Sequence, residues 1–468
     1  KESRLVAKHN INDFYKFVNT RLKDGNRSCN LFHDNCIVVD DTLKANLFNQ
    51  HFSSVYTIDN GKHQNALNTG VMSLGNIKFD HEIVRKHLSK LKPSLSCGPD
   101  GLCAFFLKKL KNVICFPLST IFEVSFRTSK LPSLWSKAIV VPVFKKKDPL
   151  KVSNYRPISL TGVPFKTMES IINDTFKNYL DINKILSNKQ HGFTKEKSCL
   201  SQLLLSKYHL VTSMDKKENV DLIFIDFSKA FDSVVHIKLI TELKNIGINN
   251  FLMSWIKAFL SNRSQVVKVG NSFSTSLPVK SGVPQGSVLG PILFNIFIND
   301  IVQNVEENCE ILLFADDVKL YSKNHKSLQD TLSKIATYCE TWQLKIATDK
   351  YCVLHIGKTN PNTVYNISGV NLSVTKCIKD LGVQISNTLS SSEHCSYLYK
   401  KCSRMCTLIL KSFFSENKIL KLKAYKIYVL PILDYCSPVY NPYKVSDINP
   451  GITAHRSAIS KHYIRAKN

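Results

Sequence analysis

Hydrophobic residues follow two patterns along this chain, and the first pattern predicts strands. Short apolar runs, rich in β-branched and aromatic residues and bounded by polar ones, are typical of strands packed in a core. They occupy residues 135–144, 220–226, 266–269, 273–278 and 311–321. Gly270-Asn271 separates two of these runs and predicts a hairpin. The last run carries Asp316 and Asp317 at its centre, so we expect a second hairpin with the two acids in its turn.

The second pattern is a recurrence every three or four positions, which is the spacing of one face of an α-helix. It is followed by Leu328, Leu332, Ile335, Cys339 and Trp342. Such a stripe could bind a cofactor, but packing beneath a sheet is the simpler interpretation. Further helices are predicted at residues 41–52, 104–112 and 396–426, the last with many basic residues. Helices mixed with short antiparallel strands predict an α+β fold.

Charge adds a functional argument, because Lys and Arg total 63 against 36 Asp and Glu, a net charge of +27. This surplus indicates a polyanionic partner, nucleic acid first, with a solvated lysine-rich surface as the alternative. No apolar run is long enough for a membrane span, and the first residues do not form a signal peptide. The 14 cysteines are scattered without a C-x-x-C pair, which predicts reduced thiols in an intracellular protein. Because the first residue is not Met, we expect a fragment of a longer product.

Asp316 and Asp317 place like charges side by side in an apolar neighbourhood. Two carboxylates about 4 Å apart repel by roughly 4 kcal/mol at an effective dielectric near 20. Such a pair is protonated, paired by solvent or bound to a cation, and an ordinary Asp-Asp turn is the competing interpretation. Asp226 favours the cation, because it ends another strand that could be a neighbour in the same sheet. Mg²⁺ prefers oxygen ligands, and two ions about 3.5–4 Å apart can activate a 3′-hydroxyl and stabilise a leaving pyrophosphate.

The stretch between these acids, residues 281–294, reads SGVPQGSVLGPILF. Its glycines and prolines predict a defined turn that a ligand can approach, followed by a helix. In order along the chain, IDFSKAFDSV, SGVPQGSVLGPILFNIFINDI and FADDVKLY resemble the reverse transcriptases of non-LTR (LINE-like) retrotransposons, above all the jockey-like branch. The resemblance extends over about residues 90–445 and is completed by GPDGL, VVPVFKKKDP, NYRPISL, NKQHGFTKEKSC, WQLKIATDKYCVLHIG, IKDLGVQIS and YKIYVLPILDYCSPVYNP.

The resemblance implies a right-hand polymerase fold, with fingers, a palm built on an antiparallel sheet, and a helical thumb. It implies four segments: an N-terminal connector at residues 1–90, fingers and palm at 91–385, a thumb at 386–445 and a divergent tail at 446–468. Relatives usually continue into a basic helix and a cysteine/histidine region, which the tail does not match. A fused endonuclease is expected in the full element but not in this chain.

For catalysis, the resemblance implies that Asp226, Asp316 and Asp317 are the family's catalytic aspartates. Two Mg²⁺ ions, with Mn²⁺ as an alternative, would be held principally by Asp226 and Asp316, with electrostatic support from Asp317. The backbone carbonyl of Phe227 would complete the coordination of one ion. Lys350 would act as a general acid towards the leaving pyrophosphate, although Ala347 stands where relatives often have Asn.

The resemblance also implies a nucleotide site. Phe231 would pack under the incoming sugar and exclude a 2′-hydroxyl, with a core phenylalanine as the alternative. Gln285 would lie near the templating base pair, and Gly286 would leave space for the nucleotide. Lys145 and Arg156 would hold the triphosphate, with Lys145 as one solvated lysine of a run of three as the alternative.

Next to Phe231, Asp232 is expected to be structural and to cap the following helix. The expected partners are an RNA template, a DNA primer or target, and deoxynucleotides. The expected location is the nucleus for synthesis and the cytoplasm as a ribonucleoprotein. Two alternatives stay open: a group II intron or telomerase-type enzyme, and a decayed or domesticated copy that only binds nucleic acid.

Overall fold

The structure is a computed structural model that describes residues 2–22, 30–62, 74–75, 77–347, 351–415 and 417–448. In this part of the chain the helices are α1 (Glu2–Lys8), α2 (Ile11–Leu22), α3 (Asp41–Ser53), α4 (His81–Lys90), α5 (Ala104–Lys109), α6 (Lys111–Thr128), α7 (Val163–Ile182), α8 (Cys199–Asp215), α9 (Ala230–Ser233), α10 (His236–Asn245), α11 (Asn250–Leu260), α12 (Gly290–Ile298), α13 (His325–Trp342), α14 (Ser392–Ser412), α15 (Lys418–Tyr428), α16 (Leu430–Asp434) and α17 (Ser437–Tyr440). Short 3₁₀ turns lie at Val152–Asn154 and Asn299–Asn304.

The strands of the same residues are β1 (Leu31–His33), β2 (Cys36–Val38), β3 (Lys137–Phe144), β4 (Tyr155–Leu160), β5 (Val220–Ile225), β6 (Arg263–Val269), β7 (Ser272–Phe273), β8 (Leu277–Val279), β9 (Cys309–Phe314), β10 (Asp317–Ser322), β11 (Cys352–Ile356), β12 (Asn366–Ile367), β13 (Val370–Asn371), β14 (Ser373–Val374), β15 (Cys377–Asp380) and β16 (Val383–Ser386). The α+β class predicted from the sequence is confirmed, as are both hairpins and the strands predicted at residues 135–144, 220–226, 266–269 and 311–321. The strand predicted at 273–278 is interrupted between β7 and β8, and Asp317 is the first residue of β10 and not part of the turn.

Two of the predicted helices differ from the structure. The helix expected at residues 104–112 is divided between α5 and α6 at Leu110, whose ψ of 12° leaves the helical range. The basic helix expected at 396–426 is two helices, α14 and α15. Between them, the backbone N–H groups of Phe414 and Ser415 donate to the side chain of Glu2. A distant acid therefore satisfies groups that a continuous helix would bond internally.

A five-stranded sheet, which we call the palm sheet, has the order β14-β11-β5-β10-β9. Its four longer strands pair antiparallel, and only the short edge strand β14 runs parallel to its neighbour β11. The central strand β5 is apolar because both of its faces are covered. One face packs into the main core with Ile223, Ile225 and helix α13; the other packs Leu222 against Leu210 of α8. The five residues of the predicted helical stripe are all buried in α13.

A second sheet, the fingers sheet, has the order β4-β3-β6-β7, with β8 also pairing with β6. Strands β3 and β4 form an antiparallel hairpin. Strands β3 and β6 are far apart in the sequence but pair in parallel, with Lys137 opposite Ser264. Helix α3 packs on this sheet, where the ring centroids of Phe48 and Tyr155 are 4.8 Å apart. In the sequence, β3 and β4 precede the palm strand β5, whereas β6, β7 and β8 follow it. The chain therefore passes from the fingers sheet to the palm sheet and back.

Helices α1 and α2 pack against α14 and α15 in a separate hydrophobic cluster. Phe14 is fully buried there, 4.3 Å from the ring of Tyr428. Arg21 forms an ion pair with Glu2 at 3.0 Å and donates to the Ser412 carbonyl at 3.0 Å. The first helices of the predicted connector thus contribute to the core of the predicted thumb, while the division of the chain into four segments stays a prediction.

Candidate active site

The paired acids lie at a two-residue turn between β9 and β10. Because the register pairs Phe314 with Asp317, only Ala315 and Asp316 remain in the turn. Ala315 has a φ of 55°, a left-handed conformation that costs a residue with a side chain roughly 1–2 kcal/mol. Such strain is kept only where the surroundings hold the backbone in place.

The segment at residues 190–192 supplies that support. Gln190 Oε1 accepts hydrogen bonds from the N–H groups of Ala315 at 2.9 Å and Gly192 at 2.8 Å. The N–H of His191 donates to the Leu313 carbonyl at 2.8 Å. A Cβ atom on Gly192 would lie 2.4 Å from the Ala315 nitrogen, so only glycine allows this approach. The role of this QHGF stretch in supporting the turn could not be predicted from the resemblance alone.

Asp226 lies at the same end of the palm sheet as the turn. The register pairs Ile225 of β5 with Val318 of β10, so Asp226 and Asp317 both stand one residue beyond that pair. The Asp226 carbonyl accepts a hydrogen bond from the Ala347 N–H at 2.9 Å, which ties it to the segment after α13. The structure therefore brings together the three aspartates that the sequence analysis singled out.

Burial and electrostatic repulsion shift the pKa values of Asp316 and Asp317. Burial, together with repulsion from Asp226, raises the pKa of Asp316, whereas Arg156 and Lys145 lower it. Burial and then repulsion from its acidic neighbours, Asp316 foremost, raise the pKa of Asp317 to about 7. An arriving cation would relieve this repulsion and favour the charged carboxylates.

The donor chemistry of the site fits a hard divalent cation such as Mg²⁺, which takes carboxylate and carbonyl oxygens. Asp226 and Asp316 are half-buried. Phe227 forms a bridge with Ile346, but the hydrogen bonds of that bridge use the Asp226 carbonyl and the Ser228 N–H, leaving the Phe227 carbonyl outside it. Within the residues that the structure describes, no three acidic, imidazole or thiol side chains already form a metal-binding arrangement.

Two basic residues of the fingers face these acids. Strands β3 and β4 pair Val143 with Arg156, and Lys145 lies two residues beyond Val143, on the same face. Both side chains are exposed, and both act electrostatically on Asp316. The structure thus places the two predicted triphosphate-binding residues across from the aspartates.

Phe231 lies in α9, just after Asp226, and is partly buried. Its ring stacks on Phe294 of α12, with centroids 4.5 Å apart and planes 20° apart. The stacking holds the ring in place, and the side chain is only partly buried. Both interpretations of Phe231, packing residue and contact to a sugar, are compatible with this position.

Gln285 and Gly286 connect the palm to the fingers. The Ser159 N–H of β4 donates to the Gln285 carbonyl at 2.9 Å, and a Cβ on Gly286, whose φ is 114°, would lie 2.7 Å from the Ser159 oxygen. The Gln285 side chain donates to both carboxylate oxygens of Asp232 at 2.8 Å. The expectation that Asp232 caps the next helix is wrong, since Asp232 lies within α9 and α10 begins without a side-chain cap.

Two further points concern lysines. Lys350, the predicted general acid, lies outside the described residues. Lys319 lies on β10, two residues after Asp317. It forms a buried ion pair with Asp380, which the sequence did not predict. No local sequence signal links these two residues, because Asp380 belongs to the distant strand β15.

The carboxylates lie at the ends of two neighbouring palm strands and face basic residues on a fingers hairpin. This arrangement is typical of the active site of a nucleic-acid polymerase. Residues 144–385, more than half of the chain, match the family described as reverse transcriptase (RNA-dependent DNA polymerase). The chain belongs to this family, which agrees with the α+β right-hand fold and confirms the resemblance.

Two of the relatives among known proteins come from mobile elements of Drosophila melanogaster. A probable RNA-directed DNA polymerase from transposon BS is 29% identical over 337 residues, which cover 69% of this chain and 37% of the relative. The RNA-directed DNA polymerase from mobile element jockey is 28% identical over 389 residues, 79% of this chain and 42% of the relative. The chain thus spans about two fifths of the length of these relatives.

Among solved structures, a telomerase from Candida tropicalis in complex with a fragment of telomeric RNA is similar with a TM-score of 0.41 and 12% identity, covering 70% of this chain and 57% of that one. No helix in the described ranges is both long and apolar enough to cross a membrane.

Proposed function

We propose that this chain is an RNA-directed DNA polymerase that extends a DNA 3′ end on an RNA template during retrotransposition. The observation that supports this proposal is the placement of Asp226, Asp316 and Asp317 at one end of the palm sheet, opposite Lys145 and Arg156. Family membership supports the same activity. The templates, primers and deoxynucleotides are the partners that this chemistry requires.

In this proposal, the aspartates hold two Mg²⁺ ions, or Mn²⁺ as an alternative, with Asp226 and Asp316 as principal ligands. When bound, the ions would activate the attacking 3′-hydroxyl and stabilise the leaving pyrophosphate. Lys145 and Arg156 neutralise and orient the triphosphate, since a guanidinium binds phosphate oxygens in pairs. Phe231, held by its stacking on Phe294, limits space beside the sugar and thereby favours deoxynucleotides.

The thumb would hold the duplex through its phosphates. The exposed basic residues of α14 and α15 are Lys400, Lys401, Arg404, Lys411, Lys418, Lys423 and Lys426. Contacts of this kind do not depend on sequence and weaken with salt. Binding to an RNA·DNA hybrid would then depend on its shape and backbone. Synthesis in the nucleus and a cytoplasmic ribonucleoprotein are part of the same proposal.

The test is primer extension on poly(rA)·oligo(dT) with Mg²⁺, comparing the wild type with Asp316→Asn. Asp330→Asn is the matched control, because Asp330 is an exposed acid on α13. We expect extension by the wild type and the control, and a loss of at least about a hundredfold in Asp316→Asn, with unchanged binding of the hybrid. Hybrid binding without extension by the wild type, in Mg²⁺ or Mn²⁺, would favour a chain that only binds nucleic acid.

A further inference from the structure

The side chain of Asp232 faces that of Gln285 across the boundary between α9 and the loop before α12. Gln285 Nε2 lies 2.8 Å from each carboxylate oxygen of Asp232. An ionised carboxylate only accepts hydrogen bonds, so the nitrogen of the amide must face Asp232. The carbonyl oxygen Oε1 of Gln285 is then directed away from the carboxylate. Asp232 therefore determines which end of the amide is offered to a ligand.

The ionised form of Asp232 is available at neutral pH. Burial raises the pKa of Asp232 to about 6, while the hydrogen bond from Gln285 and the charge of Lys229 oppose that rise. Lys229 in turn lies 3.0 Å from His51 Nε2. Tyr56 and Arg263 line the same cavity as Asp232. Gln285 and Lys229 thus favour the charged form of the Asp232 carboxylate.

Backbone contacts join the same two segments independently of the Asp232 side chain. The Ser281 hydroxyl donates to the Asp232 carbonyl at 2.7 Å, and the Val283 N–H donates to the Phe231 carbonyl at 2.8 Å. A Cβ on Gly282 would lie 2.7 Å from the Asp232 oxygen. Phe231 and Gln285 therefore belong to one rigid unit. Removing the Asp232 carboxylate leaves these backbone contacts in place, so the orientation of the amide can be tested alone.

We propose that Asp232 is a positioning residue that holds the Gln285 amide with its carbonyl oxygen presented, as a hydrogen-bond acceptor, to the incoming nucleotide beside Phe231. This inference rests on the proposed polymerase function. It assigns to Asp232 no contact with the nucleotide itself. Without the Asp232 carboxylate, the amide would be free to rotate and would no longer hold its oxygen towards the nucleotide.

The experiment is a double-mutant cycle on poly(rA)·oligo(dT) extension with Asp232→Asn, Asp232→Ala, Gln285→Ala and Asp232→Ala/Gln285→Ala. We expect Asp232→Ala to raise the KM for dTTP about tenfold, equivalent to about 1.4 kcal/mol, with a much smaller change in kcat. Asp232→Asn keeps one oxygen that accepts from Gln285 Nε2, so its KM should rise less than that of Asp232→Ala. Because Asp232 acts through Gln285, the double variant should be no worse than Gln285→Ala. Thermal unfolding and hybrid binding should match the wild type in all variants.

The outcomes separate this inference from the proposed function. If the wild type does not extend a primer, the polymerase proposal fails, and dTTP binding to the complex of protein and hybrid then tests Asp232 directly. If the wild type extends but the effects of Asp232→Ala and Gln285→Ala multiply fully in the double variant, Asp232 does not act through Gln285. An unchanged KM in Asp232→Ala overturns the inference as well.

Discussion

The side-chain oxygen of Gln190 accepts a hydrogen bond from the backbone N–H of Ala315, 2.9 Å away, in the turn that carries the paired aspartates. Ala315 is in a left-handed conformation, so this bond secures the backbone where it is least favourable. Gln190 is 2% exposed, and its removal would leave a buried N–H without an acceptor. The position of the paired carboxylates thus depends on a glutamine from outside the strands that flank their turn.

We predict that Gln190→Ala lowers both the rate of primer extension and the free energy of unfolding, and that the rate still falls at temperatures where the variant is fully folded. Loss of the acceptor should cost about 1–3 kcal/mol of folding free energy, and Gly192→Ala should cost at least as much because of the contact with Ala315. The measurements are thermal unfolding and the extension rate. Gln303→Ala, at an exposed glutamine, is the control and should leave both unchanged. Equal activity of Gln190→Ala and the control would contradict the prediction.

The stability of the fold should fall when either partner of the buried ion pair between Lys319 and Asp380 is removed. Their side chains are 3% and 7% exposed, so Lys319→Met leaves an unpaired buried carboxylate and should destabilise the fold by about 3–5 kcal/mol. Chemical denaturation measures the loss. Lys319→Met/Asp380→Leu should recover most of it, because no unpaired charge remains.

The control for that pair is an exposed one, Lys323 with Glu218, whose side chains are 52% and 39% exposed. Lys323→Met should change stability by less than about 1 kcal/mol. If both lysine variants lose the same stability, the Lys319 pair does not behave as a buried ion pair.

Phe14 should be required for the thumb although it lies near the start of the chain. The side chain is fully buried against Tyr428 and Phe413, and Phe14→Ala should cost about 3–5 kcal/mol. Limited proteolysis should then cut α14 and α15 faster than in the wild type. Tyr15→Ala, at a neighbouring residue that is 42% exposed, should be cut at the wild-type rate. Unaltered protection of the thumb in Phe14→Ala would show that α2 is not part of its core.

Glu242 should make stability depend on pH. Burial and repulsion from Asp300 raise its pKa from 4.5 to about 7, against a hydrogen bond from Asn245. A raised pKa means that the folded state favours the protonated form of Glu242. The stabilisation of the folded state by this protonation is complete below pH 4.5 and is lost as the pH rises to about 7. Glu242→Gln should therefore become progressively more stable than the wild type across this range, and the difference should be constant above it.

The measurement is the thermal midpoint from pH 4.5 to 8. Glu340→Gln, at an exposed glutamate of α13, is the control and should follow the wild-type curve. If the Glu242→Gln curve is parallel to that of the wild type, Glu242 does not titrate in this window.

The strands and the acid-bearing turn could be predicted because each has a local sequence pattern. The strands are β-branched apolar runs, and the turn has two acids where a strand would otherwise continue. Side-chain pairs between distant elements leave no such mark. Gln190 with Ala315, and Lys319 with Asp380, depend on how strands align and helices pack, which no short window of sequence contains. The same reason explains the error for Asp232: a carboxylate before a helix looks like a cap, but its partner, Gln285, arrives from another loop.

The central position of β5 in the palm sheet has a consequence for how the chain is made. Its two neighbours, β10 and β11, are both encoded downstream of α9 to α12. As the chain leaves the ribosome, β5 is therefore exposed along both edges until those strands follow. Pairings between such distant segments form slowly, and unpaired apolar strands aggregate. Yield in a cell should accordingly depend on chaperones that occupy β5 during this interval.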